Sequence, residues 1–397
     1  MSIEISHRVS QIKPSATLAI AAKAGELKAQ GKDIISLATG EPDFDTPEHI
    51  KQAAYAAIAR GDTKYTAVGG TVELRQAVVD KFKSENRLEF NLNEILISAG
   101  AKQCLYNLMQ AIINTGDEVV IPSPYWVSYP DMVKLADGFP VIINTTLEQS
   151  FKINARQLEG AISDKTRLVI INSPSNPTGK AYSRSELMAL GEVIRRHPRI
   201  AVVSDDIYEH IYWGEHEYLT LLNVCPDLRE QVITLNGVSK AYSMTGWRIG
   251  YAAGPERIIK EMRKVQGQST SNPCSISQAA AVAALSGPQN YIEMMREAFK
   301  GRHDRVIPAL NKLPGVSCEP ADGAFYALPS FIQTIKDLPG INNDIELAGW
   351  LLESAGVAMV PGTAFGAPGF LRLSYATSME NLETAIARID TALQAAL

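Results

Sequence analysis

Short apolar runs that alternate with helix-like segments are the feature of this chain that most limits its fold. Between about residues 90 and 255, several of these runs are rich in Val and Ile and lack the polar alternation of strands with one face in water. Such strands are typical of parallel sheets covered on both faces. The candidate strands are Glu94–Ser98, Glu118–Pro122, Val141–Asn144, Arg167–Asn172, Ala201–Ser204, Val232–Asn236 and Ile249–Ala253. The pattern predicts an α/β domain with a mostly parallel seven-stranded sheet between layers of helices.

Helical patterns lie between these strands and also dominate the two ends of the chain. The predicted helices are residues 14–30, Lys102–Ile113, Tyr125–Ala136, Ser183–His197, Glu256–Lys264, Tyr291–Leu313, Asp344–Ala355 and Met379–Ala396. Further short strands are predicted at Asp33–Leu37, near Val316, and at Ala324–Leu328 and Phe370–Tyr375. We therefore expect a large domain over residues 47–300 and a smaller, discontinuous α+β domain from residues 1–46 and 301–397.

Composition excludes several classes of protein. The net charge of -5 comes from 38 basic and 43 acidic residues without long runs, so nothing indicates a nucleic-acid-binding surface. No apolar run is long enough to cross a bilayer, and the first residues do not resemble a signal peptide. The four cysteines form no CxxC pair, which is typical of reduced thiols in the cytoplasm. The six histidines show no metal-binding spacing, so no metal site is predicted.

One lysine in a loop of small and polar residues points to a covalent cofactor. Lys240 lies in the segment SKAYSMTGWRIG, and Arg248 follows it eight positions later. An amine and a fixed cation suit a cofactor with an aldehyde at one end and a phosphate at the other, as in pyridoxal 5′-phosphate (PLP). Taken alone, the segment is more typical of a solvated surface loop.

Polar residues that follow predicted strands support the same cofactor, because ligands of open parallel sheets bind at the carboxyl ends of the strands. Asn176 lies in SPSNPTG, where its amide could face the phenolic oxygen of a pyridine ring. Asp205 could pair with the ring nitrogen, and Tyr208 could donate a hydrogen bond to the cofactor oxygen. The alternatives are an ordinary Pro/Asn/Gly turn, an aspartate that caps a helix, and a core tyrosine.

Two further strand ends complete this set. Gly100 and Ala101 precede a predicted helix, whose first N–H groups could bind a phosphate. Trp126 follows another strand and could stack on a flat ring, although a lone Trp is more often a core residue. The chain has no GxGxxG or GxxxxGK[ST] pattern, which argues against a nucleotide cofactor and a dinucleotide-dependent dehydrogenase. Five strand ends with ligand-binding chemistry would be a coincidence if each had an unrelated explanation.

With these segments the chain closely resembles the fold-type I PLP enzymes of the class I aspartate aminotransferase family, in the bacterial branch with SPYWVSYP, NPTG, SDxIYE and SKxYxMTGWRxGY. The resemblance extends over essentially the full length. It implies that Lys240 forms the Schiff base, that Asp205 pairs with the ring nitrogen, and that Asn176 and Tyr208 bond the ring hydroxyl. It also implies that Trp126 stacks on the ring and that Gly100, Ala101 and Arg248 hold the phosphate. Tyr65 would reach the phosphate from the neighbouring subunit of a homodimer.

Substrate contacts are likewise implied by the resemblance. Arg372 would clamp the α-carboxylate, which suits a planar guanidinium, and the Gly40 backbone would approach the same group. Lys102 is the candidate for the distal carboxylate, and Lys13 lies in a segment associated with prephenate. The chain departs from the enteric and animal enzymes at Gly237, where they have a serine, and Ser239 could compensate at the phosphate.

The expected activity is reversible amino transfer from L-aspartate to 2-oxoglutarate, with a depressed pKa at Lys240 because a neutral amine must accept a proton. The alternatives are a bifunctional aspartate/prephenate enzyme, an aromatic, alanine or kynurenine aminotransferase, and a β-lyase. A PLP-sensing regulator is disfavoured because the chain shows no fused DNA-binding domain.

Overall fold

The structure is a computed structural model that describes residues 3–14 and 16–397. Ser15, within the predicted helix of residues 14–30, lies outside the described residues. The strands are β1 Ile35–Ser36, β2 Ile95–Ser98, β3 Glu118–Ser123, β4 Phe139–Asn144, β5 Thr166–Asn172, β6 Ala201–Asp205, β7 Val232–Gly237, β8 Gly250–Ala253, β9 Tyr326–Ala327, β10 Val357–Ala358, β11 Val360–Pro361 and β12 Leu371–Ser374.

Helices connect most of these strands. They are α1 His7–Ser10, α2 Ala16–Ala29, α3 Glu48–Arg60, α4 Val72–Asn86, α5 Ala101–Ile112, α6 Ser128–Leu135, α7 Ala155–Ala161, α8 Arg184–Arg195, α9 Leu221–Val224, α10 Val238–Ala241, α11 Glu256–Gly267, α12 Ser275–Ser286, α13 Asn290–Leu310, α14 Ile332–Asp337, α15 Asp344–Ser354 and α16 Met379–Ala396. None of those in the described part of the chain combines the length and the apolar composition that a membrane span requires.

The largest sheet confirms the predicted α/β architecture. Its seven strands, in the part of the chain that the structure describes, have the order β2-β8-β7-β6-β5-β3-β4. Strand β8 runs antiparallel to both neighbours, and the other pairings are parallel. All seven strands lie within two residues of the predicted positions. Six of them are mostly buried, as uninterrupted apolar runs predict, whereas the edge strand β4 is only partly buried.

Successive residues of each central strand enter separate hydrophobic clusters. Ile97 and Val202 pack with the helices on one face of the sheet, whereas Leu96 and Val203 pack on the other. The alternation follows from the period of two along a strand, and it explains why these strands contain few polar residues. A sheet covered on both faces leaves the strand ends as the places where the backbone opens to a ligand.

A third cluster joins residues from the two ends of the chain. Strand β1 pairs in parallel with β10, and β12 pairs antiparallel with β9 and β11. Leu37, Phe325, Leu373 and Leu393 pack together in this cluster. The division into residues 47–300 and residues 1–46 with 301–397 stays a prediction.

Two local predictions are wrong. The helix predicted at Tyr125–Ala136 begins at Ser128, because the Tyr125 N–H donates to the Phe365 carbonyl oxygen at 2.9 Å and the segment before Ser128 is held outside the helix. The strand predicted near Val316 is reduced to an isolated bridge between Ser317 and Ser330.

Candidate active site

A cavity of about 480 Å³ lies at the carboxyl ends of the central strands. Residues after β2, β3, β5, β6 and β7 reach it, and so do residues from both ends of the chain. The structure thus brings together eleven of the predicted site residues: Gly40, Ala101, Lys102, Trp126, Asn176, Asp205, Tyr208, Ser239, Lys240, Arg248 and Arg372.

Lys240 presents its amine to this cavity from the short helix α10, which directly follows β7. Its Nζ donates to the carbonyl oxygen of Gly40 at 2.6 Å. The pKa of Lys240 is lowered from 10.5 to about 8, chiefly by burial and also by the cations Arg372 and Arg248, against the opposing effect of nearby carboxylates. The depressed pKa that the sequence predicts is confirmed, and a substantial fraction of this amine is neutral near pH 8.

Asp205 is the last residue of β6 and is 7% exposed. Its Oδ2 accepts a hydrogen bond from the Tyr129 hydroxyl at 2.5 Å, whereas its Oδ1 is buried without a hydrogen-bond partner among the described residues. Burial raises the pKa of Asp205 to about 6, although the Tyr129 hydrogen bond opposes this. The alternative that Asp205 caps a helix is wrong, since turns follow β6 and the next helix begins at Leu221.

Arg372, on β12, is 2% exposed and has no carboxylate partner among the ion pairs of the described chain. Its Nη1 donates to Asn176 Oδ1 at 3.1 Å and its Nη2 to the Ala38 carbonyl oxygen at 2.7 Å. Its Nε is buried without a partner within residues 3–14 and 16–397. The guanidinium also lies 4.5 Å from the ring centroid of Tyr326. A buried cation of this kind suits an anionic ligand.

Tyr208 follows β6 and is 4% exposed. Its hydroxyl forms a 3.0 Å hydrogen bond with the hydroxyl of Tyr326, and the two rings meet edge to face. A side chain at Gly40 would press on the same Tyr326 hydroxyl, with only 2.9 Å between the added Cβ and the oxygen. Gly40 therefore allows its backbone to approach the cavity and to accept the hydrogen bond from Lys240.

The N-terminus of α5 lies against Arg248, which is in the same sequence segment as Lys240. Gly100 has φ of +86° and a Cβ there would collide with the Arg248 guanidinium, while a Cβ on Gly250 would collide with the Ala101 backbone. Arg248 itself is left-handed, at φ of 57°, and donates to the carbonyl oxygens of Thr245 and Ala99. Free helical N–H groups beside a guanidinium form a cradle for an anion such as a phosphate.

Trp126 is half-buried at the cavity wall and meets Tyr129 edge to face at 5.4 Å. The exposed Lys102 places its Nζ 4.8 Å from the centroid of the Trp126 ring. Partial desolvation of its ammonium group and the charge of the nearby Arg248 lower the pKa of Lys102. Ser239 is 9% exposed and lies in the cavity wall next to Lys240.

Three predicted site residues do not line this cavity: Gly100, which precedes the lining residue Ala101, and also Tyr65 and Lys13. Tyr65 is 92% exposed, and its predicted role in the neighbouring subunit's site stays a prediction. Lys13 lines an adjacent cavity of about 490 Å³, which shares Lys102 and Arg248 with the first one.

Three residues with direct contacts in the site were missed from the sequence. Tyr129 holds Asp205, Tyr326 holds Tyr208, and Asn172 donates to the Asp205 carbonyl oxygen at 2.8 Å. The partner of Tyr129 is 76 positions away, so its contact with Asp205 has no local signal. The partner of Tyr326 is 118 positions away, so no local pattern indicates it.

Comparison with known proteins places these residues in a family. The sequence profile described as "Aminotransferase class I and II" matches residues 32–389. The chain is 54% identical to the aspartate/prephenate aminotransferase of Nitrosomonas europaea, over 98% of this chain and 100% of that protein. It is 51% identical to the enzyme of the same name from Cereibacter sphaeroides, over 97% of this chain and 98% of that protein.

Solved structures agree with the sequence relatives. The aspartate aminotransferase from Rhizobium meliloti superposes with a TM-score of 0.96 at 47% identity, covering 99% of both chains. The aspartate aminotransferase from Thermus thermophilus with maleate superposes with a TM-score of 0.93 at 44% identity, covering 98% of this chain and 100% of that one. The predicted fold type is confirmed. With a matching family profile over most of its length and relatives at about half identity, the chain belongs to the class I and II aminotransferases.

Proposed function

We propose that this aminotransferase transfers the amino group of L-aspartate to 2-oxoglutarate, with PLP as its cofactor. The single observation that carries the proposal is that one cavity brings together an amine and two buried atoms that have no hydrogen-bond partner among the described residues. Lys240, whose Nζ donates to the Gly40 carbonyl oxygen, lines this cavity with Asp205 and Arg372, whose Oδ1 and Nε are those two atoms. A cationic cofactor ring and a substrate carboxylate would supply the missing partners.

The residues fit PLP at three points. Lys240 would hold the aldehyde carbon, and Asp205 Oδ1 would pair with the protonated ring nitrogen. Gly100, Ala101 and Arg248 would hold the phosphate: the N-terminus of α5 and the Arg248 guanidinium supply positive charge, and the missing Cβ of Gly100 lets that guanidinium lie against the helix start. We assign ring stacking to Trp126, the ring hydroxyl to Asn176 and Tyr208, and a further phosphate contact to Ser239.

PLP, when bound, supplies an electron sink for the electron pair of the substrate Cα–H bond. Lys240 acts as general base, because its depressed pKa leaves its Nζ able to accept the Cα proton. Arg372 orients the substrate through its α-carboxylate, so that the bond to be broken is held in one direction. The Asp205 carboxylate would stabilise the positive charge of the ring nitrogen, on which the electron sink depends.

Recognition of a dicarboxylic substrate requires a second cation, and we assign this role to Lys102. Its ammonium group lies over Trp126 at the cavity wall, beside Arg248. The Thermus thermophilus relative is described with maleate, which is a small dicarboxylate. This supports aspartate over a monocarboxylic amino acid as the donor.

Prephenate is a second candidate substrate, because the Nitrosomonas europaea and Cereibacter sphaeroides relatives are named for it. The cavity lined by Lys13 and Lys102 adjoins the proposed site and offers added volume with two cations for a larger dicarboxylate. We also propose a homodimer, in which Tyr65 of one subunit reaches the phosphate of the other.

A panel of amino donors and 2-oxo acids tests the proposal. Purified protein loaded with PLP is expected to convert aspartate with 2-oxoglutarate at a higher kcat/KM than alanine, kynurenine or aromatic donors, and prephenate is included as an acceptor. A higher kcat/KM for a monocarboxylic donor than for aspartate would contradict the assigned specificity. Loss of the visible absorption band in Lys240→Ala, with the band present in wild type, checks the cofactor assignment separately.

A further inference from the structure

We propose that Tyr129 is a positioning residue for the reaction: its hydroxyl turns the Asp205 carboxylate so that Oδ1 faces the cofactor ring nitrogen, and keeps that carboxylate charged. This inference rests on the proposed function and assigns a role to a residue outside the predicted site set.

The geometry places Tyr129 between two of the assigned cofactor contacts. It lies in the first turn of α6, is 2% exposed, and donates to Asp205 Oδ2 at 2.5 Å. Its ring also meets the Trp126 ring edge to face, at 5.4 Å and 85°. Tyr129 therefore orients the Asp205 carboxylate, which is assigned to the ring nitrogen, and packs against Trp126, which is assigned to stack on the ring.

The two oxygens of Asp205 have different surroundings. Oδ2 is occupied by Tyr129, and Oδ1 is buried without a partner among the residues described. A carboxylate that could rotate freely would have no reason to offer one oxygen rather than the other. Because the hydrogen bond from Tyr129 selects Oδ2, it leaves Oδ1 for a ligand.

The same hydrogen bond supports the charge. Burial favours the neutral form of Asp205. A hydroxyl that donates to the ionised form opposes this, and hydrogen bonds to charged groups are among the stronger ones in proteins. Without the hydroxyl, only the Ile207 N–H and Lys240 would favour the ionised form of Asp205, so its carboxylate would be a weaker partner for a protonated ring nitrogen.

Tyr129→Phe removes the hydroxyl and keeps the ring against Trp126. The experiment uses holoenzyme loaded with PLP labelled with ¹⁵N in the ring, and measures the ¹⁵N chemical shift, the dissociation constant for PLP, and kcat and KM for aspartate. We expect the shift to move toward that of the unprotonated ring, PLP to bind about tenfold more weakly, and kcat to fall about tenfold or more with a smaller change in KM.

Tyr182→Phe is the matched control. Its hydroxyl also makes a hydrogen bond inside the protein, by accepting from the Ile153 N–H at 3.2 Å, but it does not contact Asp205. We expect the ¹⁵N shift and kcat of this variant to match wild type. If Tyr182→Phe changed both as much as Tyr129→Phe, the effect would be a general loss of packing, and the inference would be overturned.

A double-variant test shows whether Tyr129 acts through Asp205. Asp205→Asn removes the charge, so adding Tyr129→Phe to it should change kcat by less than about twofold, since residues that act through one another are not additive. Full additivity, or an unchanged ¹⁵N shift in Tyr129→Phe, overturns the inference. Tyr129→His, which keeps a donor, is expected to restore part of the ring protonation and serves if the Phe variant does not fold. Wild-type protein without a PLP band or transamination would contradict the proposed function instead.

Discussion

Two buried polar regions lie on either side of the segment that follows β6, and they differ in how completely they are paired. In the cavity, Asp205 and Arg372 each retain a buried polar atom without a partner among the described residues. On the other side, Glu209 accepts from Lys81, from Asn86 at 2.7 Å and from Asn236 at 2.6 Å. Both regions are equally removed from water, so burial alone does not separate them.

The difference indicates function, because buried polar groups in folded proteins are nearly always hydrogen-bonded. A region whose partners all lie in the chain, as around Glu209, stabilises the fold. A region in which a carboxylate oxygen and a guanidinium nitrogen both lack a partner among the described residues needs a ligand to pair with them. Asp206, which also has an unpaired buried oxygen among the described residues, differs from Asp205, since burial and the charge of Glu209 raise its pKa to about 8 and favour its neutral form.

Lys240→Ala should have the largest effect on the unmatched region. Turnover with aspartate and 2-oxoglutarate is expected to fall more than about a thousandfold, because both the covalent anchor and the general base are lost. Steady-state kinetics, with mass spectrometry after borohydride reduction, measures both losses. Lys264→Ala, at an exposed lysine paired with Glu261, is the control and should retain wild-type turnover and the adduct on Lys240.

Lys81→Met should lower the stability of the protein, because it removes a partner from the fully paired region around Glu209. Removing one partner of a buried ion pair leaves Glu209 as an uncompensated charge, which typically costs about 3–5 kcal/mol. Urea denaturation of the cofactor-free protein measures the free energy of unfolding. Lys83→Met, at an exposed lysine two residues later on α4, should change it by less than about 0.5 kcal/mol. Equal stability of the two variants would show that full pairing is not what stabilises this region.

Arg372→Met should lower activity without lowering the stability of the protein. The kcat/KM for aspartate is expected to fall about a hundredfold, which corresponds to about 2.7 kcal/mol of transition-state stabilisation. The stability of the cofactor-free protein should stay equal or rise, because a buried cation without a carboxylate partner is replaced by an apolar side chain.

Arg229→Met is the control for that variant, since Arg229 is an arginine that contacts both oxygens of Glu94 outside the cavity. It is expected to leave kcat/KM unchanged. A marked loss of stability in Arg372→Met with little change in kcat/KM would contradict the assignment of Arg372 as a substrate contact.

The smallest expected effect is a pH dependence of stability due to Lys240. The folded pKa of about 8 lies below the ordinary value of 10.5, so between these pH values the unfolded chain binds more protons than the folded chain. The free energy of unfolding of the cofactor-free protein should therefore rise by about 1–3 kcal/mol across this window relative to Lys240→Met. Parallel curves for the two proteins would show that the lysine is not desolvated.

Much of the fold and several site positions could be predicted from local sequence. Most strands were found because uninterrupted apolar runs favour strands with both faces buried, and Asp205 because it directly follows such a run. Lys240 was found because it lies in a loop of small and polar residues, eight positions before Arg248. Features that depend on contacts between residues far apart in the sequence could not be predicted. The hydrogen bond of Tyr129 joins residues 76 positions apart, and the late start of α6 depends on the Phe365 carbonyl oxygen.

The hydrogen bond from Arg372 to the Ala38 carbonyl oxygen spans 334 positions, so the substrate clamp joins the two ends of the chain. During translation, the residues assigned to the cofactor emerge from the ribosome more than a hundred codons before Arg372. The nascent polypeptide therefore contains the lysine and aspartate assigned to the cofactor before it contains the arginine assigned to the substrate. Synthesis order alone thus delays catalysis until the C-terminal segment has been made.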